Sequence, residues 1–113
     1  MMKQKDIISV ESYDEALDRY SKREYVVLSR DEYNFVTKQA LACKVIYSTD
    51  VKPYLIPIIV SGLRRNSKVD TLNIYTIREG TVAIESITTL GQVSNKDFLQ
   101  IGQAHLLNYN LKI

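Results

Sequence analysis

Thr71-Leu72-Asn73-Ile74-Tyr75-Thr76-Ile77-Arg78-Glu79-Gly80-Thr81-Val82-Ala83-Ile84-Glu85-Ser86-Ile87-Thr88-Thr89-Leu90-Gly91-Gln92-Val93 is the stretch on which the fold turns. Its first third alternates as a strand does, with Leu72, Ile74 and Thr76 on one side and Asn73, Tyr75 and Ile77 on the other. Gly80 then breaks the chain, and Thr81 to Val93 reads in two ways. As a helix capped by Thr81, it gathers Ala83, Ile84, Ile87, Leu90 and Gly91 on one face. As a strand, it follows a three-residue Arg78-Glu79-Gly80 loop, with glycine in the left-handed position, and closes a hairpin. Residue composition alone favours the hairpin, because Val, Ile and Thr suit a pleated surface.

Upstream, Lys44 to Ser48 predicts a buried strand. Thr49 or Asp50 suits a helix cap, Pro53 suits a first helical turn, and Val51, Tyr54, Leu55, Ile58, Ile59 and Leu63 fall at helical intervals. Pro57 interrupts that pattern, because inside a helix it forfeits a hydrogen bond and clashes with the preceding turn. Arg64 and Arg65 stand where cations complement a helix C-terminus, and with Lys68 they form a small basic cluster.

The first forty residues read as a helical arm. Ser12 and Glu15 have capping-box spacing, and Tyr13, Ala16, Leu17 and Tyr20 follow at helical intervals, predicting a helix from about Tyr13 to Lys22. Glu24 to Leu28 reads as a short strand. Ser29 and Glu32 repeat the capping spacing and predict a helix through Ala42, with a Tyr25–Leu28/Tyr33–Thr37 hairpin as its rival. Phe98 to Ile113 is expected to end in a strand, on the alternation of Leu107, Tyr109, Leu111 and Ile113.

Composition bounds the function. With 113 residues, 45% hydrophobic and 25% charged, the chain is expected to be one folded domain and not a disordered tract. No apolar run approaches the ~20 residues of a membrane span, and the N-terminus shows no secretory apolar region. One cysteine, Cys43, fits a reducing compartment. A cytoplasmic or nuclear location is therefore expected. The net charge is +2, but residues 1–40 hold seven Lys/Arg against eight Asp/Glu and residues 41–113 hold eight against five. That bias permits contact with phosphates. His105 is the only histidine, and no nucleophile motif, metal-ligand cluster or phosphate loop is present, so no catalysis, metal, cofactor or small-molecule substrate is expected.

The order of elements from Lys44 to Val93 resembles the Alba family, small chromatin proteins with relatives among the protein subunits of ribonuclease P and MRP. The resemblance rests on Val45-Ile46-Tyr47-Ser48 before Val51-Lys52-Pro53, the apolar run to Leu63, Leu72-Asn73-Ile74-Tyr75, Gly80 and Ala83-Ile84-Glu85-Ser86-Ile87. It implies an α+β fold, an Alba-like βαβα core (residues 43–113) with a final β-strand and an N-terminal helical extension (residues 1–42). The alternative is an antiparallel sheet with residues 71–93 as a β-hairpin plus N-terminal helices.

The resemblance implies a non-enzymatic nucleic-acid-binding protein or ribonucleoprotein subunit that contacts DNA or structured RNA and acts as a homo- or heterodimer. Lys52 matches the family's contacting lysine, and Arg78 and Gly80 match its basic second loop. Arg64, Arg65 and Lys68 would extend that surface, with Tyr47, Tyr54 and Tyr75 near enough to stack on bases. Glu79, Glu85 and the short C-terminal part depart from the family pattern and point to a diverged member that pairs with a second chain or contacts structured RNA. The alternative function is a protein-interaction or regulatory module without nucleic-acid binding. Val26-Val27-Leu28-Ser29-Arg30-Asp31-Glu32-Tyr33-Asn34 is similar to the strand-to-helix junction of Phd/YefM-type antitoxins.

Overall fold

The computed structural model describes residues 2–80 and 84–109. Its elements run β1 (Asp6–Asp14), β2 (Arg19–Val27), α1 (Asp31–Thr37), β3 (Gln39–Tyr47), β4 (Leu55–Pro57), β5 (Ser67–Arg78), β6 (Ile84–Gln92) and α2 (Asn95–Leu107). The strands make one six-stranded sheet in the order β4-β5-β3-β2-β1-β6, and every neighbouring pair is antiparallel. This corrects the expected βαβα core and the N-terminal helices alike.

The arm misread as a helix is a hairpin. Ser12 pairs with Ser21 and Tyr13 with Tyr20, their rings 5.1 Å apart, across a turn at residues 15–18 where Asp18 takes φ +46°. Two tyrosines seven residues apart satisfy a helical face and a hairpin pair equally well, so spacing alone does not separate them. The Ser12 hydroxyl faces that of Ser21 at 3.3 Å. The second capping signal opens a helix of only seven residues, which Lys38 ends with φ +57°. Its Ser29 caps nothing. The hydroxyl of Ser29 accepts the Leu41 N–H at 2.9 Å and ties the helix approach to β3.

Residues 53–63 are likewise not helical. Pro57 sits in β4, opposite Lys68 at the sheet edge, where a residue without an N–H does least harm. At the decisive stretch, residues 84–92 are a strand, but its partner is β1, from Asp6↔Gln92 to Ser12↔Ile84. Strand β5 pairs with β3 and β4 instead. Neither the helix nor the local hairpin forms. Thr81, Val82 and Ala83 lie outside the described residues, as do Leu111 and Ile113 of the expected final strand. Leu107 of that strand is the last residue of α2, a helix capped by the Ser94 hydroxyl accepting the Asp97 N–H at 3.1 Å.

Two apolar clusters occupy the two faces of the sheet. Ile8, Val10, Tyr25, Val27, Ala40, Ala42 and Ile77 gather on one face with Met2. Ile7, Val26, Cys43, Val45 and Val69 gather on the other with Ile58, Val93 and Ile101 of α2. Adjacent residues of one strand, such as Ile7 and Ile8 or Val26 and Val27, serve opposite clusters because strand side chains alternate. Where strands are buried on both faces, as at Ile7-Ile8 in β1 and Tyr25-Val26-Val27 in β2, they read as apolar runs without alternation.

Candidate nucleic-acid interface

The β2–β3 ladder runs from Val27↔Ala42 only to Glu24↔Val45. Beyond that point β2 continues to Arg19 along β1, and β3 continues to Tyr47 along β5. The two strands therefore splay, and a gap of about 380 Å³ opens between their ends. Lys22, Arg23, Glu24, Lys44, Val45, Ile46 and Tyr47 line it. Three cations against one carboxylate make it a basic cleft, although the Lys22 ammonium is 3.8 Å from a Glu11 carboxylate oxygen.

Shared walls extend the cleft into a track. Tyr47 also lines a cavity of about 430 Å³ with Ser48, Thr49, Arg65 and Asn66. Arg65 and Asn66 in turn line a third cavity of about 390 Å³, whose walls include Ile58, Ile59, Val60, Leu63 and Arg64. Exposed cations and a partly exposed ring along one groove are the features that hold a nucleic-acid backbone and stack its bases.

Tyr47 joins the first two cavities. Its hydroxyl lies 2.8 and 2.7 Å from the two carboxylate oxygens of Glu24, and the Arg64 guanidinium lies over its ring, 5.0 Å from the centroid. Desolvation first, then the hydrogen bond to Glu24 and the charge of Glu24, push the Tyr47 hydroxyl up to about 12, with Arg64 pulling the other way. At neutral pH the hydroxyl keeps its proton and donates it to Glu24.

The residues singled out from the sequence are placed as follows. Arg64 and Arg65 are exposed on the track. Lys68 lines the third cavity but is buried, and its ammonium donates to the Asp50 carbonyl. Lys52 is exposed in the loop before β4, and its carbonyl accepts the Leu55 N–H at 3.1 Å. Arg78 ends β5, where its guanidinium donates to Gln39 at 3.2 Å, and Gly80 follows in the turn with φ +75°. Lys68 and Arg78 are ten residues apart along one strand, roughly 30 Å at the usual rise. The fold thus gathers Arg64, Arg65 and Lys68 and leaves Arg78 and Gly80 at the far end of β5.

Reasoning from the sequence missed Lys22, Arg23, Glu24 and Lys44. Lys22-Arg23 beside a strand signal was visible, but nothing local showed that Lys44 would face them. His105 stands apart from the track on α2, with Nδ1 2.8 Å from the Thr71 carbonyl and Nε2 2.9 Å from the Tyr109 hydroxyl. Among the described residues no three His, Cys, Asp or Glu side chains gather as a metal site.

No family's sequence model matches the chain, and no curated protein matches it. Solved structures do. A MazE–MazF structure from Deinococcus radiodurans superposes with a TM-score of 0.81 at 14% identity, over 98% of each chain. An endoribonuclease in complex with its cognate antitoxin, from a mycobacterial species, superposes with a TM-score of 0.75 at 17% identity, over 100% of this chain and 99% of that one. The chain shares their fold. The Mycobacterium tuberculosis toxin MazF-mt6 superposes at 0.67 with 14% identity, over 93% of this chain and 99% of that one.

This MazF-like fold overturns the Alba resemblance, whose β-α-β-α order the chain lacks. The expectation of a non-enzymatic DNA- or RNA-binding protein, and its interaction-module alternative, were built on that order or on the missing motifs. They are corrected with it, since the mycobacterial protein that shares this fold over its full length is itself an endoribonuclease. The Val26–Asn34 junction does pass from strand to helix, inside a fold that the chain shares with a MazF toxin. No helix among the described residues is long and apolar enough to cross a membrane.

Proposed function

We propose that this chain is an endoribonuclease that cuts single-stranded RNA lying along the track, and that a small partner protein holds it in check. The observation that carries the reading is the likeness of fold over the full length of an endoribonuclease solved with its antitoxin. The basic gap at the open end of β2 and β3 supports it, because its cations can meet the negative charge that RNA scission develops on phosphate.

In that reaction the 2′-hydroxyl gives up its proton to a base as its oxygen attacks the adjacent phosphorus. The phosphorus–5′-oxygen bond breaks as that oxygen takes up a proton, so that no net proton is gained or lost. The products are a 2′,3′-cyclic phosphate and a 5′-hydroxyl. Negative charge builds on the phosphate oxygens as the new bond forms, and Arg23 and Lys44 on the walls of the gap are placed to neutralise it. The guanidinium of Arg23 offers paired donors to two phosphate oxygens, and the ammonium of Lys44 acts as a point charge. Arg64 and Arg65 hold the flanking backbone. DNA lacks the attacking hydroxyl and would bind without being cut.

The test is incubation of the purified protein with a degenerate single-stranded RNA pool and its DNA counterpart. Cleavage of RNA alone, with 5′-hydroxyl ends, is expected. A folded protein that leaves every RNA intact would overturn the proposal.

A further inference from the structure

Glu24 is out of place in a groove for an anionic polymer. Glu24 lines the same gap as Lys22, Arg23 and Lys44, and its carboxylate repels the phosphates those cations attract. Among the described residues its hydrogen-bond partner is the Tyr47 hydroxyl, and a hydroxyl has one proton to give. A carboxylate has about four acceptor sites. Most of the acceptor capacity of Glu24 is therefore uncommitted and sits at the hydroxyl end of a tyrosine that is 41% exposed.

We propose that Glu24, Tyr47 and Arg64 form a nucleobase-reading subsite on the track, with guanine as the preferred base. This rests on the reading of the chain as an RNA-directed protein and adds a specificity to it. A base entering the track stacks on the Tyr47–Arg64 pair, an aromatic ring and a planar cation already in contact. A stacked base lies about 3.5–4 Å from the ring. Its edge then comes within reach of Glu24 at the hydroxyl end of the same ring.

An ionised carboxylate only accepts, so it selects bases by their donors. Guanine alone presents two adjacent donors, N1–H and the 2-amino group, that match two carboxylate oxygens. Adenine and cytosine offer an amino group beside an acceptor, and uracil an imino group between two acceptors. Bidentate pairing is thus open to guanine and closed to the other three. The charge that costs phosphate affinity is recovered as discrimination between bases.

The experiment is a binding titration of short single-stranded RNAs identical except for one position carrying guanine, inosine, adenine, cytosine or uracil, read by fluorescence anisotropy. Wild type is expected to favour guanine over adenine about tenfold or more, with inosine, which lacks the 2-amino group, between them. Glu24→Gln should reduce the guanine-to-adenine ratio to near unity. Tyr47→Phe keeps the ring and the carboxylate and should keep the preference, whereas Tyr47→Ala should weaken all bases alike.

An unchanged guanine ratio in Glu24→Gln overturns the proposal. So does uniformly tighter binding of every RNA with no change of ratio, which would make Glu24 an electrostatic brake only. RNA cleavage without any base preference in wild type removes the subsite and leaves the proposed function standing. A wild type that binds no RNA removes both.

Discussion

The two ends of the β2–β3 pair differ in everything but backbone conformation. At the closed end, Val26 and Val27 face Cys43 and Ala42 across a regular ladder, and apolar clusters cover both sides. At the open end, the ladder stops, the strands follow other partners, and Lys22, Arg23 and Lys44 stand around the gap. The same two strands thus hold the fold together at one end and present a chemical surface at the other. Cations belong at the open end because burying an unpaired charge costs several kcal/mol, of order the stability of a whole domain.

The sharpest way to break the comparison is at the closed end. Ile7 is fully buried beside Val26. Replacing it with alanine is expected to cost about 2–5 kcal/mol of unfolding free energy, measured by urea denaturation. The RNA affinity of the remaining folded fraction should be unchanged.

Arg23→Ala is the mirror experiment. It should lower kcat/KM for RNA cleavage about 100- to 1000-fold, as loss of a donor to developing charge does elsewhere. It should shift stability by no more than about 0.5 kcal/mol. A variant that loses stability and activity together would place Arg23 in the scaffold and not at the gap.

Lys44→Ala probes the same wall more gently. Binding is expected to weaken by a few-fold, with the slope of log K against log salt falling by about 0.7, the value for one phosphate contact to a single strand. An unchanged slope would show that Lys44 touches no phosphate.

The smallest effect is a pH dependence at the closed end. Burial, with a smaller contribution from the charge of Asp70, pushes the Cys43 thiol from 9.0 up to about 12. The folded protein therefore binds that proton more tightly than the unfolded chain does. The associated stability is fully present below about pH 9 and is lost as pH rises towards 12. Thiol reagents at pH 8 should label Cys43 only at the rate of unfolding. Rapid labelling of native protein would show that the closed end opens.

Part of this contrast was legible in the sequence. The alternation over Thr71–Ile77 and the Lys44–Ser48 run did mark β5 and β3, whose pattern is local. Pro57 disputed the helix that the apolar spacing suggested, and it lies in an edge strand. The Tyr13–Tyr20 hairpin was hidden because a seven-residue interval fits two elements. Arg64 and Arg65 stood out as neighbours in the chain, while Arg23 and Lys44 are 21 positions apart and meet only because β2 and β3 pair.

By itself the sequence determined the strand alternation of β5, the apolar run of β3, the break at Gly80, and that positive charge accumulates after residue 41. Those are properties of single residues and near neighbours. The tertiary structure decided the partners. It sent residues 84–92 to β1, about eighty positions back, instead of to the adjacent β5. It also parted β2 from β3 after Glu24↔Val45. The physical reason is that strand pairing is settled by which apolar faces bury together across the whole sheet. A strand's own residues state only that it needs a neighbour, not which one it takes.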